Sequence, residues 1–237
     1  MNRRPRSGTD GPGRAPRPLP PRARPPRSRR GSRRGKQPVS PPSEREIRAL
    51  RRDHAPSTTA YRRVLGHCGT VWEIAQLLLR DQTVAVDEDL VRAGCLLHDI
   101  GVYRMYGTAG RLEEANYVRH RPLGHDLLAD AGFPTRLCRF CSCHTGVGLS
   151  RSDVVEQRLP VPPADHLAET REERLAMYAD KFHSKSRPGA LLTYREYAPV
   201  VGRFGADKVR RFAALAGEFG VPDLTGVTPS RRARSDS

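Results

Sequence analysis

Long apolar runs are missing from this 237-residue chain. No stretch is long enough to cross a bilayer, which takes about 20 apolar residues. Nor do the early arginines lead into the apolar segment of roughly seven or more residues that a secretory signal needs. A cytoplasmic location with no membrane partner is therefore expected. Alternating apolar and polar positions, the mark of a half-buried strand, are also lacking, as is any internal repeat. Neither the P-loop nor the dinucleotide-binding glycine fingerprint occurs, which excludes phosphate cradles of those kinds. Cysteine is sparse and odd in number: Cys68, Cys95, Cys138, Cys141 and Cys143, five in all. They sit in or beside apolar stretches, which suits reduced, buried thiols better than a disulfide framework.

The N-terminal segment has almost no large apolar side chains. Residues 1–42 hold eleven of the 21 prolines, and residues 1–40 hold twelve Arg and one Lys against a single acid. Such a segment buries too little surface to offset chain entropy, so residues 1–42 read as a disordered basic tail. Its proline density also prevents the amphipathic helix of a mitochondrial-type presequence. Residues 229–237, with three Arg against one Asp, read as a second disordered basic tail. Most of the formal charge of +16 thus belongs to the ends, while residues 41–228 hold 26 basic and 24 acidic side chains. The N-terminal arginines imply at most a weak, salt-sensitive attraction to nucleic acid, driven by counterion release.

Residues 43–228 are the size of one domain with a substantial core. Periodicity in this region is helical throughout. Val64, Cys68, Val71, Ile74, Ala75 and Leu78 recur at three- and four-residue steps, which predicts an amphipathic helix from Thr58 to Arg80 with His67 in its apolar stripe. A second helix is expected from about Asp87 through Leu97 to His98 and Asp99, with Gly101 placed as its C-terminal cap. Pro122 and Pro134 suit first helical turns and would open helices over 122–131 and 134–145. Further helices are expected over 168–182, 194–201 and 206–219.

His67, His98, Asp99, His120, His144 and Asp180 stand out within this pattern. His67 and His144 fall on apolar faces, Asp99 at a buried helix end, and Asp180 on the turn formed by Ala176 and Met177. A buried carboxylate without a partner costs several kcal/mol or becomes protonated, so something must compensate it. One shared cation does so for both aspartates. Imidazole with carboxylate suits Mn, Fe, Co, Ni or Zn, one or two ions per chain, whereas Ca or Mg favours oxygen alone. Cys138-x-x-Cys141-x-Cys143-His144 also has zinc-like spacing. On a helix, however, Cys143 lies about 140° from Cys138, so the groups do not converge and buried thiols are the expectation.

The segments HCGTVWEIA (67–75), CLLHDIG (95–101), HRPLG (120–124), CHTG (143–146) and YADKF (178–182) resemble, in this order, the motifs of the HD-domain phosphohydrolase superfamily. The resemblance covers about residues 58–186 and implies an all-α HD-type helical bundle. It implies that His67, His98, Asp99 and Asp180 bind a first metal. It also implies that His120 and His144 bind a second, with Asp99 bridging the pair. His125, one turn into the next segment, is an alternative to His120, but the HxxxG pattern favours His120.

Metal ions so placed lower the pKa of a bound water, present it as hydroxide and clamp the oxygens of a phosphate ester or anhydride. Asp99 is the catalytic candidate, positioned to bridge the ions and receive the proton. Arg104, Arg119, Arg121, Lys181 and Lys185 are the candidate substrate-binding cations. Many superfamily members continue the His-Asp motif with a phosphate-binding Lys. Val102 stands in this region here, and Arg104 is the expected substitute. The expected substrate is a nucleotide or another small phosphorylated molecule. Two alternatives come with the resemblance: a di-iron oxygenase carrying the same six ligands, and a ligand-binding regulatory module with degraded catalysis.

Overall fold

The computed structural model describes residues 40–80, 82–184 and 189–228. Nearly all of the 1–42 tail, the 229–237 tail and Lys185 lie outside the described residues. Among the described residues all regular structure is helical, with isolated β-bridges between loops, as the all-α expectation requires. No helix among them is long and apolar enough to cross a membrane.

Among the described residues nine α-helices follow in order: α1 Glu44–His54, α2 Thr58–Leu79, α3 Glu88–Leu97, α4 His120–Asp130, α5 Thr135–Cys143, α6 Arg151–Glu156, α7 Arg171–Ala179, α8 Tyr194–Gly202 and α9 Ala206–Phe219. Short 3-10 turns cover Ile100–Met105, Tyr117–Arg119 and Asp180–Phe182. Helices α2, α3 and α7 pack on one another, α5 joins α3 and α7, and α4 lies against α5 and the 100–105 turn. Their shared core includes Val71, Ile74, Leu97, Ile100, Leu128, Phe140, Tyr178 and Phe182.

Several helix boundaries differ from those expected. Helices α1 and α6 escape a search for long periodic stripes because one is strongly charged and the other very short. Both announce themselves by capping boxes, Ser43 with Glu46 and Ser150 with Asp153. Helix α7 starts at Arg171 rather than 168, because Thr170 and Glu173 form another such box. Helix α4 begins two residues before Pro122, and Pro134 caps α5 rather than entering it.

Gly101 is not a helix cap. It lies inside the 100–105 turn, where a Cβ would sit 1.9 Å from the His120 carbonyl oxygen and 2.4 Å from the Gly124 nitrogen. The missing side chain lets α4 approach the segment that follows Asp99.

Candidate metal centre

Helix ends deliver most of the candidate ligands. His98 is the C-cap of α3, His144 of α5 and Asp180 of α7, while Asp99 follows His98 and His120 opens α4. His67 alone projects from mid-helix, on the buried face of α2. Three helix C-termini therefore converge, and the partial negative charge at each favours a cation between them.

The same arrangement sets the histidine tautomers. Carbonyls in the last turn of a helix lack intrahelical partners. His98 Nδ1 donates to the Cys95 carbonyl at 2.8 Å and His144 Nδ1 to the Phe140 carbonyl at 3.0 Å. His120 Nδ1 donates to the carbonyl of Tyr117. A carbonyl can only accept, so in neutral rings the proton is on Nδ1 and the Nε2 lone pairs face the interior.

Those nitrogens meet the two aspartates. Asp180 Oδ1 lies 3.0 Å from His67 Nε2 and 3.5 Å from His98 Nε2. Asp99 divides its oxygens: Oδ2 is 3.5 Å from His67 Nε2 and 3.8 Å from His98 Nε2, while Oδ1 is 3.3 Å from both His120 Nε2 and His144 Nε2. All six residues are buried, none more than 7% exposed.

This donor set fits a pair of transition-metal ions. Two ligand atoms bonded at about 2.1 Å to one ion, at tetrahedral or octahedral angles, stand roughly 3.0–3.4 Å apart. Most of the spacings above fall near that range, and they exceed the 2.7–2.9 Å of a charge-assisted hydrogen bond. Buried His98 Nε2 has no hydrogen-bond partner. Two triads, His67 with His98 and Asp180, and His98 with Asp99 and His144, have ligand atoms within 4.8 Å of one another. Among the described residues no cysteine joins such a group, and all five cysteines are free and buried.

A second layer of side chains holds the candidate ligands. Lys181, expected to meet substrate, is instead buried, donating at 2.8 Å both to Asp180 Oδ2 and to the His144 carbonyl. Arg121, also expected at the substrate, is fully buried and braces the turn before His120 against α5 through the Val118 and Ser142 carbonyls. Burial lowers its guanidinium to about 10. Arg139 on α5 grips buried Glu173 on α7 in a bidentate pair at 2.6 and 3.1 Å, joining the helices that carry His144 and Asp180. Arg104 and Arg119 are exposed at the surface.

His183 is a contributor that sequence reasoning left without a role. Its Nδ1 lies 2.7 Å from His67 Nδ1, so one ring donates to the other and His67 Nε2 is held toward the aspartates. Its place three residues after Asp180 was the only available signal. Beneath the site, Arg51 of α1 is fully buried and donates Nη2 to Cys68 Sγ at 2.9 Å. Burial pushes the Cys68 thiol up, but Arg51 and His98 outweigh it and bring it below its ordinary value. For His98, burial favours the neutral ring. The charges of Cys68 and Asp99, with the contact to Asp180, prevail and raise its pKa to about 10.

A family model for the HD domain matches residues 64–185, about half the chain and a span that contains all six candidate ligands. The chain belongs to the HD domain family. Relatives of this HD protein include an uncharacterized protein of Methanocaldococcus jannaschii, 34% identical over 120 residues, which are 49% of this chain and 64% of that one. A tRNA (cytidine(56)-2'-O)-methyltransferase of Picrophilus torridus is 30% identical over 124 residues, 52% of this chain but 32% of the relative. The chain therefore spans under two thirds of the first relative and about a third of the second. Among solved structures, the HD domain of the L. monocytogenes phosphodiesterase PgpH aligns with TM-score 0.44 and 15% identity, over 71% of this chain and 94% of that one.

Proposed function

We propose that this HD protein is a metal-dependent phosphohydrolase that cleaves an ester or anhydride of a small phosphorylated molecule. The observation that carries the reading is the division of Asp99, one carboxylate oxygen toward His67 and His98 and the other toward His120 and His144. A carboxylate so divided serves two cations at once. His67, His98, Asp99 and Asp180 would hold the first ion, and His120, His144 and Asp99 the second. When bound, such ions supply Lewis acidity toward phosphoryl oxygens and acidify water.

The chain's own residues supply the rest. Helix caps and Nδ1 hydrogen bonds present the Nε2 atoms in fixed directions, so little reorganisation accompanies the reaction. Burial excludes bulk water and strengthens every charge in the site. Asp99 would accept the proton that the attacking water loses, through a carboxylate lone pair that the ions leave unused. Lys181 occupies Asp180 Oδ2 and leaves Oδ1 directed into the site. Arg104 and Arg119 are the exposed cations proposed to meet phosphate oxygens.

The methyltransferase name of some relatives is not carried over, because the shared section is about a third of their length. The test is a screen of protein loaded separately with Mn, Fe, Co, Ni or Zn against phosphomonoesters, phosphodiesters and nucleotides, with and without dioxygen. Phosphate release that persists without dioxygen supports hydrolysis. Turnover that requires dioxygen and a reduced iron pair would replace it with an oxygenase.

A further inference from the structure

Beside the metal centre lies a cavity of about 330 Å³, at the small end of the range for small-molecule sites. One wall is the loop Thr145–Leu149, which starts directly after His144, and Val118, two residues before His120, also lines it. The other wall is one face of α8 and its end, where Tyr197, Val200, Val201 and Phe204 recur at helical spacing. These α8 residues lie beyond the matched segment that ends at 185, so this pocket is built partly from structure outside the family match.

The chemistry of the walls limits the occupant. Lys208 is the cation at the cavity, but it is 3% exposed and paired to the carboxylates of Asp153 and Asp207, the latter at 3.2 Å. One ammonium between two carboxylates leaves a net negative cluster, which repels phosphate. Thr145 and Gln157 add two polar groups, but a sugar would still set most of its hydroxyls against valine and leucine. What fits is an uncharged, largely apolar group. Tyr197 and Phe204 bring two aromatic rings to the lining, and Gly146 and Gly148 alternate without side chains between Thr145, Val147 and Leu149, so the space suits a flat ring.

We propose that this cavity is a recognition pocket for a flat, uncharged aromatic group of the substrate, whose phosphorylated end lies toward His120 and His144. The proposal deepens the hydrolase reading and rests on it for the identity of the other end of the ligand. Val200 and Leu159, both half-buried at the cavity and outside the metal centre, are the positions to fill.

The experiment measures 1-naphthol binding to the full chain by fluorescence for the wild type, Val200→Trp and Leu159→Trp, each checked by thermal melting. It adds phosphate release from 1-naphthyl phosphate and glycerol phosphate. The wild type should bind 1-naphthol more tightly than 1-octanol, and each filled variant should lose roughly tenfold or more, the weight of one buried apolar group. For 1-naphthyl phosphate, KM should rise by a similar factor with kcat unchanged. Folded variants that both bind 1-naphthol as the wild type does would overturn the pocket, and equal affinity for 1-octanol would overturn the ring. Binding that is lost in the variants while the wild type releases phosphate from no ester supports the pocket and counts against the hydrolase reading alone.

Discussion

His120 Nε2 and His144 Nε2 face each other at 3.0 Å, while each ring donates its Nδ1 proton to a backbone carbonyl. In that tautomer neither Nε2 can donate to the other, and two lone pairs point into one small volume. Asp99 Oδ1, 3.3 Å from both, adds negative charge to the same place. Only a cation or a shared proton makes such a cluster favourable, which is why Asp99, proposed to bridge two ions, is expected to be the most sensitive point.

Asp99→Ala should therefore empty both ion positions and abolish phosphate release, whereas His120→Ala or His144→Ala should lose chiefly one ion. Metal stoichiometry by elemental analysis, read beside thermal melting, separates this from a structural role. Unaltered metal content in Asp99→Ala would remove the basis for a shared site.

Lys181→Met keeps the length of the stem but removes the ammonium that holds Asp180 Oδ2 and the His144 carbonyl. Supporting groups of this kind are worth roughly 10–100-fold in metal affinity. The expected result is weaker metal binding by that factor in a competition titration with a chelator. An affinity equal to that of the wild type would show that Lys181 does not position the ligands.

His98 links metal binding to pH. In the chelated protein its pKa is raised from 6.5 to about 10, so the stability it contributes is fully present below about 6.5 and is lost as pH rises toward 10. A metal requires the neutral ring, and binding near pH 7 must release the proton. Affinity should then tighten with pH across this window, by up to about tenfold per unit. Calorimetry in buffers of different ionisation enthalpy measures the release directly, and no proton released at pH 7 would contradict the assignment.

Gly101→Ala places a methyl against the His120 carbonyl, 1.9 Å away, and the contact is with backbone that cannot rotate aside. Overpacking of this severity should cost about 3 kcal/mol or more, or roughly 6–12 °C in Tm for a domain of this size. Because α4 must retreat, carrying His120 with it, the second ion should also bind less tightly than the first. A melting temperature within about 1 °C of the wild type would show that the approach is not as close as this.

Local signals carried much of this protein. The stripe Val64, Cys68, Val71 and Ile74 announced α2 and turned His67 inward, because burial of a helix face repeats every three to four residues. The order of the histidine and aspartate motifs announced the family, and proline and glycine marked the breaks between helices approximately. Helix α1 was legible only in its cap, since a charged helix held by Ile47 and Arg51 has no broad apolar face.

Tertiary structure decided the rest, because spacing along a helix says which way a side chain leaves its own axis and nothing about what it meets. Arg121 and Lys181 read as candidate substrate-binding cations beside the motifs, yet packing of α4, α5 and α7 buries both and turns them to carbonyls and a carboxylate. The tautomers of His98, His120 and His144 follow from backbone carbonyls one turn earlier, which reach the rings only because the helices and the 117–119 turn stop where they do. The division of Asp99 between two imidazole pairs needs four separate segments brought within a few ångströms. The sequence by itself determined the ligand types, their order and the helices that bear them. Convergence, burial and the direction of each lone pair came from long-range packing, where residues far apart in the chain share one low-dielectric interior.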